Sequence, residues 1–153
     1  MAVPGAVAGL ALLHERHGEM PWKELVQPAI ALARQGFELS WYDTAVMATM
    51  ATAAQRHPEL QQRYYPGGAP PMSDHFDAVR LTQPELGNSL EVIALDGPDS
   101  FYVGDIAAAV ASDSIANDGV IERADLADYR AHVGAPLHTT YRQATVLLPG
   151  PGC

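Results

Sequence analysis

The sequence predicts a mainly helical fold closed by a short C-terminal β-hairpin. Three observations lead there. Alanine occurs 25 times in 153 residues while aromatics make up only 7%, a small-residue bias that suits close-packed helices better than a sheet of Val, Ile and Tyr. Apolar residues recur at helical spacing between glycine and proline stops from position 4 to about 130. The stretch 137–148, LHTTYRQATVLL, instead reads as two strands around Tyr141-Arg142-Gln143.

The first helix is expected over Gly5 to His17, with Val7, Leu10 and Leu13 on one side and Gly18 as its stop. Pro21 opens a second helix, on which Leu25, Ala29 and Leu32 fall at i, i+4, i+7 before Gly36 ends it. Pro28 interrupts that pattern, and is expected to separate a first turn from a helix that restarts there. Ser40, with Asp43 three residues on, caps a third helix reaching about Arg56. The segment RYYPGGAPPMSD then marks a loop over 65–74. Either half of the chain alone is small for an independent core, so the loop is read as an insertion within one domain.

The stretch QPELGNSLEVIALDGPDSFYVG follows, from Gln83 to Gly104. Thr82 and Glu85 have capping-box spacing, Leu86, Leu90 and Ile93 form a stripe for burial, and Gly97-Pro98 ends the helix. Asp99 to Val103 makes a short turn. Phe101 and Tyr102 are expected to plug the core, which leaves the Tyr102 hydroxyl in need of a partner. A helix from Asp105 to about Asn117 turns Ile106, Ala109 and Val110 inward, and a short one follows over Asp125 to Tyr129.

Composition narrows the function. The formal charge is −9, so a phosphate backbone would be repelled, and no basic stripe offsets this. Nucleic acid is not expected as a partner. No apolar run approaches the ~20 residues of a membrane span, and the opening MAVPGAVAGLALLHERHG lacks the basic n-region of a signal peptide. Cys153 is the single cysteine, which rules out a disulfide within the chain.

No candidate chemistry assembles into a site. His14 and His17 in HERH are one residue short of the HExxH spacing and lack a third ligand. Thr139-Thr140 resembles a nucleophile pair beside His138, but neighbours on a strand point to opposite faces. Gly67-Gly68 has no strand before it or helix after it of the phosphate-binding kind, so it is a turn. Cys153 has no activating neighbour in sequence. The sequence therefore assigns no catalytic, substrate-binding or metal residue and no cofactor.

The quoted stretch closely resembles the γ-glutamyltranspeptidase family, in which a Q-P-[DE]-L…L-x-x-I-A…G-P-[DE]-x-F-Y-x-G pattern recurs. Here the pattern is Gln83-Pro84-Glu85-Leu86, Leu90 to Ala94, Gly97-Pro98-Asp99 and Phe101-Tyr102-Val103-Gly104. VPGAVAGL (3–10), MPWKELVQPAIALARQGF (20–37), DLADYRA (125–131) and TYRQATVLLP (140–149) resemble further family phrases in the same order. The family's PPPSSGG-like turn is here PGPGC, and Gln143 stands where glycine is common after TYR.

The resemblance implies a segment of an αββα N-terminal nucleophile hydrolase. In that family a precursor cleaves itself, and a freed threonine attacks the γ-glutamyl amide of glutathione or a related compound. That threonine lies downstream of the PPPSSGG-like turn, in the small subunit. An arginine that grips the substrate carboxylate lies upstream of the VPG segment. Neither maps onto any position of these 153 residues, so the chain by itself is expected to be inactive. The implied partners are the remainder of the large subunit and the small catalytic subunit of one precursor, and full-length members are often periplasmic or extracellular. Two alternatives stand beside this reading: a related acylase or amidohydrolase cleaving another amide, and a stand-alone, non-catalytic interaction module.

Overall fold

The computed structural model describes residues 2–71 and 79–150. In chain order the elements are α1 (Ala6–His17), α2 (Trp22–Gln35), β1 (Phe37–Glu38), α3 (Trp41–Ala54), α4 (Pro58–Tyr64), β2 (Arg80–Leu81), α5 (Pro84–Asp96), α6 (Ser100–Val103), α7 (Asp105–Ala116), α8 (Arg123–Asp128), β3 (Leu137–Tyr141) and β4 (Ala144–Leu148). The architecture is mostly helical with two short antiparallel strand pairs, β1–β2 and β3–β4. The chain forms two compact units, Met20–Gly97 and the pair of segments Met1–Glu19 and Pro98–Cys153.

The unit Met20–Gly97 is built on the crossing of α2 and α5. Its buried α2 face is Ile30 and Ala33, with Trp22 and Val26 partly covered along the same line. Leu25, Ala29 and Leu32, the expected inward stripe, are exposed. The face is rotated by one residue because the partner selects it. Trp22 donates from Nε1 to the Ile93 carbonyl at 2.9 Å, and Gln83 N–H donates to the Ala33 carbonyl at 2.7 Å. Those two bonds fix which side of α2 meets α5. Pro28 does not break the helix, which runs continuously from Trp22 to Gln35. Its missing N–H deprives only the Glu24 carbonyl, and both residues lie on the exposed side where water can substitute.

On α5 the buried residues are Gly87, Ile93 and Ala94, with Leu90 half-buried. Leu86 is 42% exposed, contrary to the expected stripe. The Thr82–Glu85 capping box is also absent: Gln83 is the N-cap and Pro84 opens the helix, so the two side chains are out of register for the box. Glu85 instead accepts from Arg63 on α4 at 2.9 Å. The Ser40–Asp43 capping box at the start of α3 does form.

Three elements were not foreseen. Helix α4 lies where the chain was expected to run from the third helix into the loop. The pair β1–β2 places Phe37 opposite Leu81 and Glu38 opposite Arg80. Gly36 makes the entrance to that pair, at φ +79° with the Leu81 carbonyl only 2.6 Å from where a Cβ would stand. Of the expected loop, Tyr65 to Gly68 is a turn closed by Gly68 N–H to the Tyr65 carbonyl at 2.8 Å, and 72–74 lie outside the described residues.

In the other unit, Tyr102, Ala107 and Leu126 form the core, flanked by Val3, Val7, Phe101, Val110 and Tyr129. Val7 packs there as expected, whereas Leu10 and Leu13 on the same helix are exposed. On α7 the buried positions are Ala107 and Ala111, while Ala109 faces out. The α8 helix is held by a Glu122–Asp125 capping box, and Leu126 within it is fully buried. The hairpin pairs Leu137 with Leu148 through Tyr141 with Ala144, around Arg142 at φ 56°.

Candidate functional site

The sequence phrases from Gln83 to Gly104 and from Val3 to Leu10 meet chemistry of a structural kind. The Tyr102 hydroxyl accepts from the Ala8 N–H at 3.0 Å and donates to the Pro4 carbonyl at 2.9 Å. The first three amides of a helix have no partner inside it. Gly5, the N-cap of α1, has no side chain to supply one. Nor can it acquire one freely, because a Cβ on Gly5 would collide with the Tyr129 hydroxyl and stand 2.7 Å from its Cζ. Tyr102 thus caps α1 from 94 residues away. Its ring meets Phe101 edge-on at 4.9 Å and stacks on Tyr129 at 5.7 Å. Burial raises its phenol pKa above the ordinary value, partly offset by the bond from Ala8.

Within the unit Met20–Gly97, polar side chains tie α5 to its neighbours. Arg34 on α2 reaches Glu91 at 2.5 Å and Asn88 at 3.0 Å, its stem lying over Gly87. The hydrogen bond and charge of Arg34 hold the Glu91 carboxyl below the usual range. Tyr64 bonds to Gln83 at 3.2 Å. Between α3 and α4 lies an open groove of about 440 Å³, whose lining includes Val46, Met50, Ala53, His57, Leu60 and Tyr64. Tyr65 beneath it donates to the Met47 carbonyl at 2.8 Å. The sequence reading missed this groove. The available signal was α3 itself, WYDTAVMATMATAA, apolar on every side with Asp43 as its one charge.

The residues weighed as chemistry are not brought together. His14 and His17 sit in the last turn of α1, and no group of three His, Cys, Asp or Glu able to hold a metal occurs among the described residues. His138, Thr139 and Thr140 are exposed on β3, opposite Leu147, Val146 and Thr145. Gly67 and Gly68 are turn residues. Cys153 lies outside the described residues.

Residues 1–153 match the family model for gamma-glutamyltranspeptidase over their whole length. The chain belongs to the γ-glutamyltranspeptidase family. Among relatives, the Acylase ACY 1 proenzyme of Pseudomonas sp. (strain SE83) is 36% identical over 151 residues, covering 99% of this chain and 26% of that protein. The glutathione hydrolase proenzyme of Escherichia coli (strain K12) is 35% identical over 147 residues, covering 91% of this chain and 23% of that protein. The crystal structure of Helicobacter pylori gamma-glutamyltranspeptidase superposes with a TM-score of 0.89 at 25% identity, covering 97% of this chain and 42% of that one. The fold is accordingly a segment of the γ-glutamyltranspeptidase, N-terminal nucleophile hydrolase fold. The γ-glutamyltranspeptidase segment seen here spans about a quarter of the length of the curated relatives it matches.

Proposed function

We propose that this chain is a framework segment of the large subunit of a γ-glutamyltranspeptidase, and that it supplies no catalytic residue itself. One observation carries the reading: the family phrases spend their polar atoms on holding the fold. Tyr102 caps α1, the Gln83 amide and side chain tie α5 to α2 and α4, and Glu85 binds Arg63. In the complete enzyme, a nucleophile outside these residues attacks the γ-glutamyl amide to give an acyl-enzyme, which water hydrolyses or an amine accepts. Such a step needs a nucleophile, a base placed to take its proton, and donors for the developing oxyanion. Here every threonine is preceded by an amide nitrogen without basicity, and His138 projects from β3 away from Thr139. The partners are the remainder of the large subunit and the small subunit of the same precursor.

A second reading keeps the framework role and changes the amide. It is favoured by the acylase relatives, which are as similar to this chain as the glutathione hydrolases. Under it the complete enzyme cleaves a different acyl amide by the same route.

The test is release of a chromogenic amine from a γ-glutamyl anilide by the purified 153-residue chain, with mass spectrometry for self-cleavage. Neither is expected, since loss of such a nucleophile and base removes about 10⁶-fold of rate. Turnover that disappears in Thr139→Ala or Thr140→Ala would overturn the framework reading.

A further inference from the structure

Helix α1 is attached differently from the other helices of its unit. The helices α6, α7 and α8 pack pairwise on one another. Each buries at least one side chain: Tyr102 on α6, Ala107 and Ala111 on α7, Leu126 on α8. Helix α1 buries none along its 12 residues. It lies on the core through Val7 and Ala8, with Val3 just ahead of it, all partly covered. Leu10 and Leu13 on its other side are exposed. Small, partly covered side chains return little, because hydrophobic stabilisation follows the apolar area removed from water.

The helix is also weak in itself. Gly5 gives it no side-chain cap, and no acidic residue stands in its first turn to meet the dipole. Its favourable charge, Arg16, stands in the last turn, so the weak end is the first. Gly9 sits inside the helix. A Cβ on Gly5 or Gly18 would overlap neighbouring atoms, but a Cβ on Gly9 would meet nothing within 4 Å. Packing therefore does not require glycine there, and its effect is to loosen the helix relative to alanine. What holds the first turn is the Tyr102 hydroxyl, which bridges Pro4 and Ala8.

We infer that α1 is a latched strap, which lifts from its unit in one step while α6, α7 and α8 stay folded. The Tyr102 hydroxyl is the latch, and Gly9 sets how often the strap opens. An element with few buried apolar contacts opens at a lower free energy than the whole structure. Lifting takes Val3, Val7 and Ala8 off the cluster of Tyr102, Ala107 and Leu126 and uncovers it. A lifted helix of this length is too short to persist in water, so its amides exchange while it is off.

Native-state hydrogen exchange on the full 153-residue chain, read by NMR along a series of low denaturant concentrations, tests this without reference to the framework reading. Amides from Gly9 to Leu13 should share one opening constant, roughly tenfold or more above that at Ala111. It should rise only shallowly with denaturant, because little surface is exposed, whereas the constant at Ala111 should rise steeply. Gly9→Ala should lower the α1 constant about four- to fivefold at each of those amides. Tyr102→Phe should raise it at Leu12 and Leu13 as well as at Ala8. Amides of α1 that follow the same steep line as Ala111 open only with the whole unit, and overturn the inference. So does a gradient of rates falling steadily from Gly9 to Leu13, which is fraying from one end. A constant that Gly9→Ala leaves unchanged, or a Tyr102→Phe effect confined to Ala8, equally overturns it.

Discussion

Replacing Tyr102 by Phe removes one oxygen and keeps the ring. The oxygen is the only atom shared by the Ala8 amide and the Pro4 carbonyl. The stacking on Tyr129 and the edge contact with Phe101 should persist, since neither involves the hydroxyl. Each lost hydrogen bond removes about 0.5–1.5 kcal/mol net. The two ends then differ. Pro4 is exposed and its carbonyl can turn to water, but Ala8 is half-buried and its N–H has no cap from Gly5. An unsatisfied, partly covered donor costs a further ~1 kcal/mol or more, so the expected loss is about 2–3 kcal/mol.

The readout is local. Amide exchange at Ala8 should accelerate by roughly 30- to 150-fold, the same free energy expressed as an opening constant. Amides in α2 and α5 should not change. The wild-type phenol adds a pH signature. Its pKa is raised in the folded state by burial, so the folded form holds the proton more tightly than the unfolded one. The contribution is complete below the unfolded value of about 10 and is lost as pH rises through the folded value. Exchange at Ala8 that is unaltered in Tyr102→Phe, with a stability change under about 0.5 kcal/mol, would refute the cap.

Ile93→Ala should cost about 2–4 kcal/mol in denaturant unfolding, while Leu86→Ala, on the open side of α5, should stay within ~1 kcal/mol; equal costs would mean the face is misassigned. Gly5→Ser offers α1 a favoured local cap, yet it should destabilise by about 1–3 kcal/mol because its Cβ overlaps the Tyr129 ring end; a stabilised variant in the same unfolding assay contradicts this. The Glu91 carboxyl, followed by NMR, should titrate below the ordinary ~4.3, so its pairing with Arg34 is present at neutral pH and fades as pH falls through the lowered value. Arg34→Ala should return it to the ordinary value, and an unchanged titration would show that the 2.5 Å contact is not populated in solution.

Local chemistry made the helices legible and tertiary partners decided their faces. Gly18, Gly36 and Gly97-Pro98 stop the chain wherever it runs, and Ser40 with Asp43 caps its helix without outside help. The buried face of α2 is different. Leu25-Ala29-Leu32 and Val26-Ile30-Ala33 are both apolar lines at helical spacing, and the contacts with α5, the Trp22 and Gln83 bonds to distant backbone and the Arg34 bonds to Asn88 and Glu91, choose between them. The β1–β2 pair joins two-residue strands about forty positions apart, too short to carry any periodicity. Helix α4 did carry a signal, Pro58 at its first position and Glu59 in its first turn. The need of Tyr102 for a partner was readable; the partner's position at the other end of its unit was not.

That position bears on the order in which the protein can be made. The unit Met20–Gly97 is one uninterrupted piece of chain, whereas the other unit joins the first residues to the last third. On the ribosome α1 emerges before the residue that caps it, which follows 94 residues later. At translation rates of about 5–20 residues per second, the helix waits roughly 5–20 seconds with its amide ends open. The intervening piece has time to fold in that interval. Helix α1 is thus finished after the unit that follows it, and a chaperone that engages nascent chains meets it while it is still uncapped.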